Sequence, residues 1–312
     1  MSDCAICIVS YNTAQLSCDC LRSVYEVIAG DGIDAEVWVL DNASSDGSAD
    51  RVAETFPQVA LLRSAENLGF AGGNNRIIDQ IREGGHPPRH LLLLNSDTIV
   101  QQGALRSLVT FLDANPSAGV AGARLTYGDG SFQHAAFRFP TLAMTFFDFW
   151  PLHHRLSDSW LNGRYPRRTY ERGRAFAIDH PLGAAMAVRW EVVEQLGAFD
   201  TRYFMYCEEI DWCMRIRQAG WSIYCVPAAH VVHLGGQSAK QFRERMFVAL
   251  WSSRYQLFER HYGPLYRWAV RRIVRAGLGR ESRRVLQQRI EGLLSADEAQ
   301  ARLAAFDQVR AM

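Results

Sequence analysis

Four short apolar runs, each ending in a polar cluster, constrain what this chain can fold into. They cover residues 5–9, 35–40, 59–62 and 91–94. Each is too short for a helix and is bounded by turn residues, so each reads as a strand buried on both faces. Patterns of helical length follow the first three runs, over about 14–28, 49–56 (closed by Pro57) and up to Glu83. Strand and helix alternate at βαβ spacing, which predicts an α/β fold: an open, mostly parallel sheet with helices on both faces over about the first 115 residues. In such sheets ligands bind beyond the carboxyl ends of the strands. The polar clusters 10–13, 41–46, 67–75 and 95–97 all fall there. Each alone is ordinary turn chemistry. Four on one sheet edge point to a single site.

The Gly-rich stretch at 67–75 opens a helix, but it is not G-x-G-x-x-G, and no G-x-x-x-x-G-K-[ST] occurs. A dinucleotide enzyme and a P-loop NTPase are both disfavoured. A nucleotidyltransferase would want a cation in a Gly-rich loop after the first strand, and residues 10–14 hold none.

Beyond residue 119 the pattern changes. A strand is expected over 120–126 and a hairpin turn at 127–130. A loop-rich segment follows with Phe132, Phe137, Phe139, Phe146, Phe147, Phe149, Trp150 and Trp160, and with His134, His153 and His154. These aromatics suit either a core or a lid over an acceptor. Residues 177–188 read as a strand in which Gly183, Ala184 and Ala185 let backbone approach a ligand closely. A short helix is expected over 190–196, and a strand over 221–226 that Pro227 ends.

Between these two lies the densest acidic cluster, Glu208, Glu209 and Asp211, at the start of a helical pattern that Gly220 stops. Carboxylates there complement the helix dipole. They are also what a site needs to take a proton from a hydroxyl beside a bound cation. His233 ends an apolar run and precedes Gly235 and Gly236. A histidine in that position is either structural or a metal or phosphate contact.

The net charge is +1, yet residues 240–312 carry 15 basic and 7 acidic side chains. The tail is therefore about +8 and the body about −7. Helical patterns over 241–275, interrupted at Gly263-Pro264, interleave aromatics with arginines. That composition suits an interfacial membrane contact or a helix packed on the domain. Beyond Glu281 the pattern is plain polar helix. About half the chain (48%) is apolar, enough for a substantial core, and no run is long enough to span a membrane. The first residues lack the basic-then-apolar pattern of a signal peptide. The seven cysteines form no paired C-x-x-C set, which suits free thiols in a reducing cytoplasm.

In order along the chain stand Ile8-Val-Ser-Tyr-Asn12, Val39-Leu-Asp-Asn-Ala-Ser-Ser-Asp-Gly-Ser48, Asn67-Leu-Gly-Phe-Ala-Gly-Gly-Asn-Asn75, Leu93-Leu-Asn-Ser-Asp-Thr98, Gly183-Ala-Ala-Met186, Gly197-Ala-Phe-Asp200, Phe204-Met-Tyr-Cys-Glu-Glu-Ile-Asp211 and Val232-His-Leu-Gly-Gly-Gln-Ser238. This ordered series resembles the inverting family 2 glycosyltransferases of GT-A type, and most of all their rhamnosyltransferase-like branch. The resemblance covers residues 5–240 and leaves the tail outside. It implies a GT-A domain over 1–239, with a nucleotide-binding half (1–115) and an acceptor-binding half (116–239), followed by a helical extension over 240–312. It implies a dTDP- or UDP-sugar donor, a lipid-linked or polysaccharide acceptor, a divalent cation (Mg or Mn) and no nucleic-acid partner. The protein would work in the cytoplasm, at the inner face of the plasma membrane through its tail.

By the same resemblance, Ser10, Tyr11, Asn12, Asp41, Asn67, Gly69, Asn74, Asn95, Ser96 and Asp97 bind the nucleotide sugar, with Asp41 reading base and ribose. Gly183 and Ala184 meet the acceptor. Asp97 matches the last carboxylate of the family's D-x-D metal motif, whose first position here is the uncharged Asn95. His233 matches a position that can complete the metal shell. Glu209 is the first choice for the base that deprotonates the acceptor hydroxyl, in a Glu-Glu pair where the family usually has Glu-Asp. Glu208 and Asp211 are alternatives, and Asp211 could instead orient the loop through Arg215 or Arg217. The alternative function is a catalytically weak or inactive carbohydrate-binding homologue of the same fold.

Overall fold

A computed structural model describes residues 2–153, 156, 158–235 and 243–312. His154, Gly236, Gln237, Ser238, Gln241 and Phe242, named above, lie outside the described residues. The first half alternates as expected: β1 (Cys4–Ser10), α1 (Ala14–Asp31), β2 (Ala35–Asp41), α2 (Ser48–Thr55), β3 (Ala60–Arg63), α3 (Gly69–Glu83) and β4 (His90–Asn95). The strands β3, β2, β1 and β4 lie side by side and parallel. Their central members are buried on both faces; in β1, residues Cys4, Ala5, Ile6, Cys7 and Ile8 expose at most 2%. That is why they read as unbroken apolar runs.

A short β5 (Thr98–Val100), α4 (Ala104–Ala114) and β6 (Ala118–Thr126) continue the chain. β7 (Phe132–Gln133), β8 (Ala136–Phe137), α5 (Leu142–Phe149), a 3-10 turn at Trp160–Asn162 and α6 (Arg167–Glu171) follow. The stretch expected as one strand over 177–188 is three pieces: β9 (Phe176–Ala177), β10 (His180–Pro181) and β11 (Ala185–Arg189). Pro181 has no N–H for a long ladder, and β10 pairs with β8 in a separate two-stranded sheet. β11 alone enters the main sheet, antiparallel between β4 and β6.

After α7 (Trp190–Leu196) and α8 (Glu208–Gln218) comes β12 (Ser222–His233). Pro227 does not end this strand. The register against β6 jumps between Val226 and His230, so Pro227 sits in a bulge where no ladder N–H is required. Through that bulge β12 runs on to pair with β5 and carries His233 to the ligand edge. The main sheet is ordered β3-β2-β1-β4-β11-β6-β12-β5.

The C-terminal segment forms α9 (Arg243–His261), α10 (Pro264–Ile290) and α11 (Ala296–Ala311), with Pro264 at the first turn of α10 and a Ser295–Glu298 capping box before α11. The aromatic face read from the sequence turns inward. Trp251, Phe258, Val270, Val274 and Leu278 form a second core with Phe149 of α5 and Val309 of α11. Outside remain the exposed Leu265, Trp268, Leu286, Ile290 and Leu293, with Trp268 under the Arg272 guanidinium. No helix among the described residues is long and apolar enough to cross a membrane. All seven cysteines are unpaired and buried.

Candidate active site

The parallel register brings distant polar residues to one edge. Ser10 stands beside Asp41, and Val9 beside Asn95. Above them is a cavity of about 290 Å3, with Tyr11, Asn67, Gly69, Asn95, Ser96, Asp97, Gly183, Ala184, Glu208, Glu209 and His233 on its wall. Five expected residues do not line it: Ser10, Asn12, Asp41, Asn74 and Asp211.

Those five are engaged behind the wall. Ser10 belongs to a buried hydroxyl cluster with Thr13 and Ser17, which Thr13 extends to Ser96. Asn12 accepts from the Ser45 amide through its side chain and fixes the loop after β2. Asn74 donates to the Phe70 carbonyl within α3. Asp41 accepts from the Ser44 amide through Oδ2, whereas its Oδ1 is buried with no hydrogen-bond partner. A buried acceptor without a donor is costly, and a ribose hydroxyl or base N–H would satisfy it.

The Gly-rich loop is tied down by Asn42, which sequence reasoning did not single out. Its amide donates to Asn67 Oδ1 and to the Gly69 carbonyl, and accepts from the Leu68 amide. Gly69 has φ +70°, and a Cβ there would fall 2.1 Å from the Phe204 carbonyl oxygen. Next to it, the Phe70 amide donates to that same oxygen at 3.0 Å. The loop after β3 and the loop before α8 are therefore in direct contact.

A carboxylate and an imidazole meet on the cavity wall. Asp97 Oδ1 is 3.3 Å from His233 Nε2, and the Asn95 side-chain amide is 3.5 Å from the same nitrogen. The other ring nitrogen, Nδ1, faces the Gln133 side-chain amide, with the amide nitrogen 3.1 Å and its oxygen 3.3 Å away. With Nδ1–H donating to Gln133, Nε2 presents its lone pair toward Asp97 and Asn95. Gln133 carries no sequence signal, because it sits in a two-residue strand. Among the described residues no cluster of three or more His, Cys, Asp or Glu side chains forms a metal cage. The donor set is one carboxylate, one imidazole and, after rotation of its amide, the Asn95 carbonyl. It fits a hard cation that takes its remaining ligands from a diphosphate.

Glu208 and Glu209 open α8 after two consecutive residues with positive φ, Tyr206 (70°) and Cys207 (67°). Such a pair is strained for non-glycine residues and turns the chain sharply into the helix. Burial pushes the Glu209 carboxyl up to about 7. Burial and the neighbouring Glu209 charge raise the Glu208 carboxyl well above its ordinary value. One oxygen of each carboxyl, Oε2, is buried without a hydrogen-bond partner. Both carboxyls are thus raised, and two buried like charges side by side do not both ionise readily.

Asp211 has a different place. It is fully buried, bonded to Arg215 Nε at 2.9 Å, His261 Nε2 at 2.7 Å and Arg260 Nη1 at 3.1 Å. It clamps α8 to α9, while Arg217 pairs with Asp179 instead. Further along the same helix face, Ser253 Oγ donates to the Met205 carbonyl, and Leu257 packs against Tyr203, Cys207 and Met214.

A family described as "Glycosyltransferase like family 2" matches residues 2–249. The chain is 31% identical over 275 residues to the N-acetylglucosaminyl-diphospho-decaprenol L-rhamnosyltransferase of Mycobacterium tuberculosis, covering 80% of this chain and 87% of that one. The chain belongs to glycosyltransferase family 2. A shorter similarity, 37% over 70 residues, links this family 2 glycosyltransferase to rhamnosyltransferase WbbL of Escherichia coli K12, over 22% of this chain and 26% of that one. Its fold is that of solved GT-A enzymes. The mannosyltransferase PcManGT of Pyrobaculum calidifontis, in complex with GDP-Man and Mn2+, superposes with TM-score 0.58 at 17% identity over 99% of this chain and 86% of that one. S. aureus TarS 1-349 in complex with UDP-GlcNAc gives 0.53 at 14% identity, over 99% and 81%.

Proposed function

We propose that this glycosyltransferase moves rhamnose or another hexose from a dTDP- or UDP-linked donor to a lipid-linked or polysaccharide acceptor in cell-surface glycan synthesis, with inversion at the anomeric carbon. One observation carries the reading: a single cavity joins the Asp97–His233 pair to the Glu208–Glu209 pair. Asp41, Asn67 and the backbone around Gly69 hold the nucleoside and diphosphate. Asp97 and His233, with Asn95, would hold a Mg or Mn ion. That ion supplies charge neutralisation for the diphosphate leaving group. Glu209 takes the proton from the acceptor hydroxyl as that oxygen attacks C1 from the face opposite the diphosphate. Burial and the Glu209 charge raise the Glu208 carboxyl well above its ordinary value, so the two do not ionise together and one of them, Glu209, serves as the base. Gly183, whose missing Cβ would stand 3.7 Å from Glu209 Cγ, leaves room for the acceptor beside the base. The tail makes peripheral contact with the inner face of the plasma membrane through exposed Leu265 and Trp268.

The rhamnosyl relatives and the diphospho-decaprenol named for one of them support the acceptor class. The neighbours' GDP-Man and UDP-GlcNAc leave the nucleotide open. The test is a donor screen by thermal shift with UDP-, dTDP- and GDP-sugars, with and without Mn or Mg, followed by transfer assays on the donor that binds. A metal-dependent rise with one nucleotide class, and a product of inverted configuration, is the expected result. Normal turnover by both Asp97→Ala and Glu209→Gln overturns the mechanism. The uncharged Asn95 favours a second reading, a homologue of weak activity; donor binding without transfer or donor hydrolysis would select it.

A further inference from the structure

A second cavity lies apart from the one above. It measures about 510 Å3 and lies between α5, α9, α10 and α11. Its floor is apolar, formed by Phe149, Phe247, Leu250, Leu278, Val285 and Phe306. Charged groups stand around that floor: Arg302 Nε faces Glu244 at 4.0 Å but is buried without a hydrogen-bond partner, Arg284 Nη1 faces Glu281 at 3.8 Å, Asp148 is held by Arg254, and Arg243 also lines the wall. The floor itself is packed rings, such as Phe247 edge-on to Phe306 at 5.4 Å. The surface suits a neutral apolar chain.

Its position matters as much as its lining. Tyr206 lines this cavity and the catalytic cavity alike, two residues before Glu208. Tyr206 thus stands at the boundary between the cavity that holds the glutamate pair and the apolar one. A cavity of about 510 Å3 has room for part of an extended apolar chain.

We infer that this cavity receives the apolar chain of the acceptor, with the acceptor sugar at Glu209 and the first prenyl units lying past Tyr206 between α9 and α10. This rests on the lipid-linked acceptor proposed above. It assigns to the C-terminal helices the selection of chain length, a task separate from transfer itself.

The test uses the full chain and two synthetic acceptors with the same N-acetylglucosaminyl diphosphate head, one on a decaprenyl chain and one on a five-carbon chain, in the same detergent. The expected result is at least a tenfold higher kcat/KM for the long chain. Leu250→Asp, which places a charge on the floor, and Met246→Trp, which fills the cavity, each remove that preference and leave the short-chain rate unchanged. Two variants guard against one that fails to fold, and the short-chain rate reports folding in each. Equal kcat/KM for both chains in the wild type, or a parallel loss on both in the variants, overturns the inference and leaves the acceptor reading standing. Transfer to neither acceptor, with donor still bound, overturns the acceptor reading and the inference together. A benzophenone-bearing prenyl analogue should label α9 or α10; labelling confined to other elements also overturns it.

Discussion

His261 Nε2 stands 2.7 Å from Asp211 Oδ1, so the last turn of α9 holds the first turn of the helix that carries Glu208 and Glu209. Asp211 is fully buried and keeps Arg215 and Arg260 as further partners. Losing His261 therefore loosens the clamp without leaving the carboxylate unpaired. His261→Leu should lower kcat about tenfold, within the cost of misplacing a catalytic group, and leave donor affinity unchanged. His261→Gln, which keeps a donor near the same atom, should recover most of the rate. Steady-state kinetics beside donor titration checks this. Wild-type kcat in His261→Leu would show that the contact serves folding alone.

Glu209→Gln should cost about 10²- to 10⁴-fold in transfer, the range for removal of a general base. Its effect on stability has the opposite sign. The Glu209 carboxyl lies near 7 in the folded chain against an ordinary value of 4.5. Its stabilising contribution is complete below about 4.5 and is lost as pH rises through 7. At pH 8 the wild type carries a buried charge that the amide lacks, so the variant should be more stable by roughly 1 to 3 kcal/mol. Denaturant melts at pH 5 and pH 8 test this, since the gain should shrink at the lower pH.

The same carboxyl sets the rate profile. With saturating substrates, kcat should rise about tenfold per pH unit below 7 and level off above it. A flat profile from pH 5 to 8 would remove Glu209 as the base.

Gln133→Leu should weaken Mn2+ binding about 10- to 100-fold, the usual cost of losing the partner that orients a metal-binding histidine. Direct Mn2+ titration by electron paramagnetic resonance reads this without turnover. Unchanged affinity would show that His233 needs no such support.

Gly69→Ala meets both a φ of +70° and the Phe204 carbonyl 2.1 Å from the new Cβ. It should destabilise the fold by about 2 kcal/mol or more and lower donor affinity. Thermal melts with and without donor separate the two effects.

The parallel half of the sheet was legible because strands buried on both faces leave unbroken apolar runs, as residues 5–9 and 91–94 do. The strand ends then identified one edge with Tyr11, Asn95 and Asp97 on it, and Glu209, read from an acidic helix start, and His233, read from the end of an apolar run, line the same cavity. The antiparallel half was harder. β12 passes through Pro227 by a bulge that depends on register against β6, which no local pattern encodes. Burial likewise separates Glu209 from Asp211: two carboxylates two residues apart point one to the cavity and one to the clamp, and the deciding partner, His261, is 50 residues away. Gln133 and Asn42 act through hydrogen bonds to loops that only the folded chain assembles. The aromatic–arginine composition of α9 and α10 suits an interface and a core equally, and only the packing on Phe149 and Val309 separates them.

The Phe70 amide and the Phe204 carbonyl join the loop proposed to meet the nucleotide to the loop that leads to the proposed base. On that reading a donor held at Asn67 and Gly69 would bear on the segment that carries Glu209 before any acceptor arrives, and the substrates should add in order, donor first. The free nucleoside diphosphate should then compete with the donor and not with the acceptor, and wasteful hydrolysis is limited by how rarely water finds the base in place.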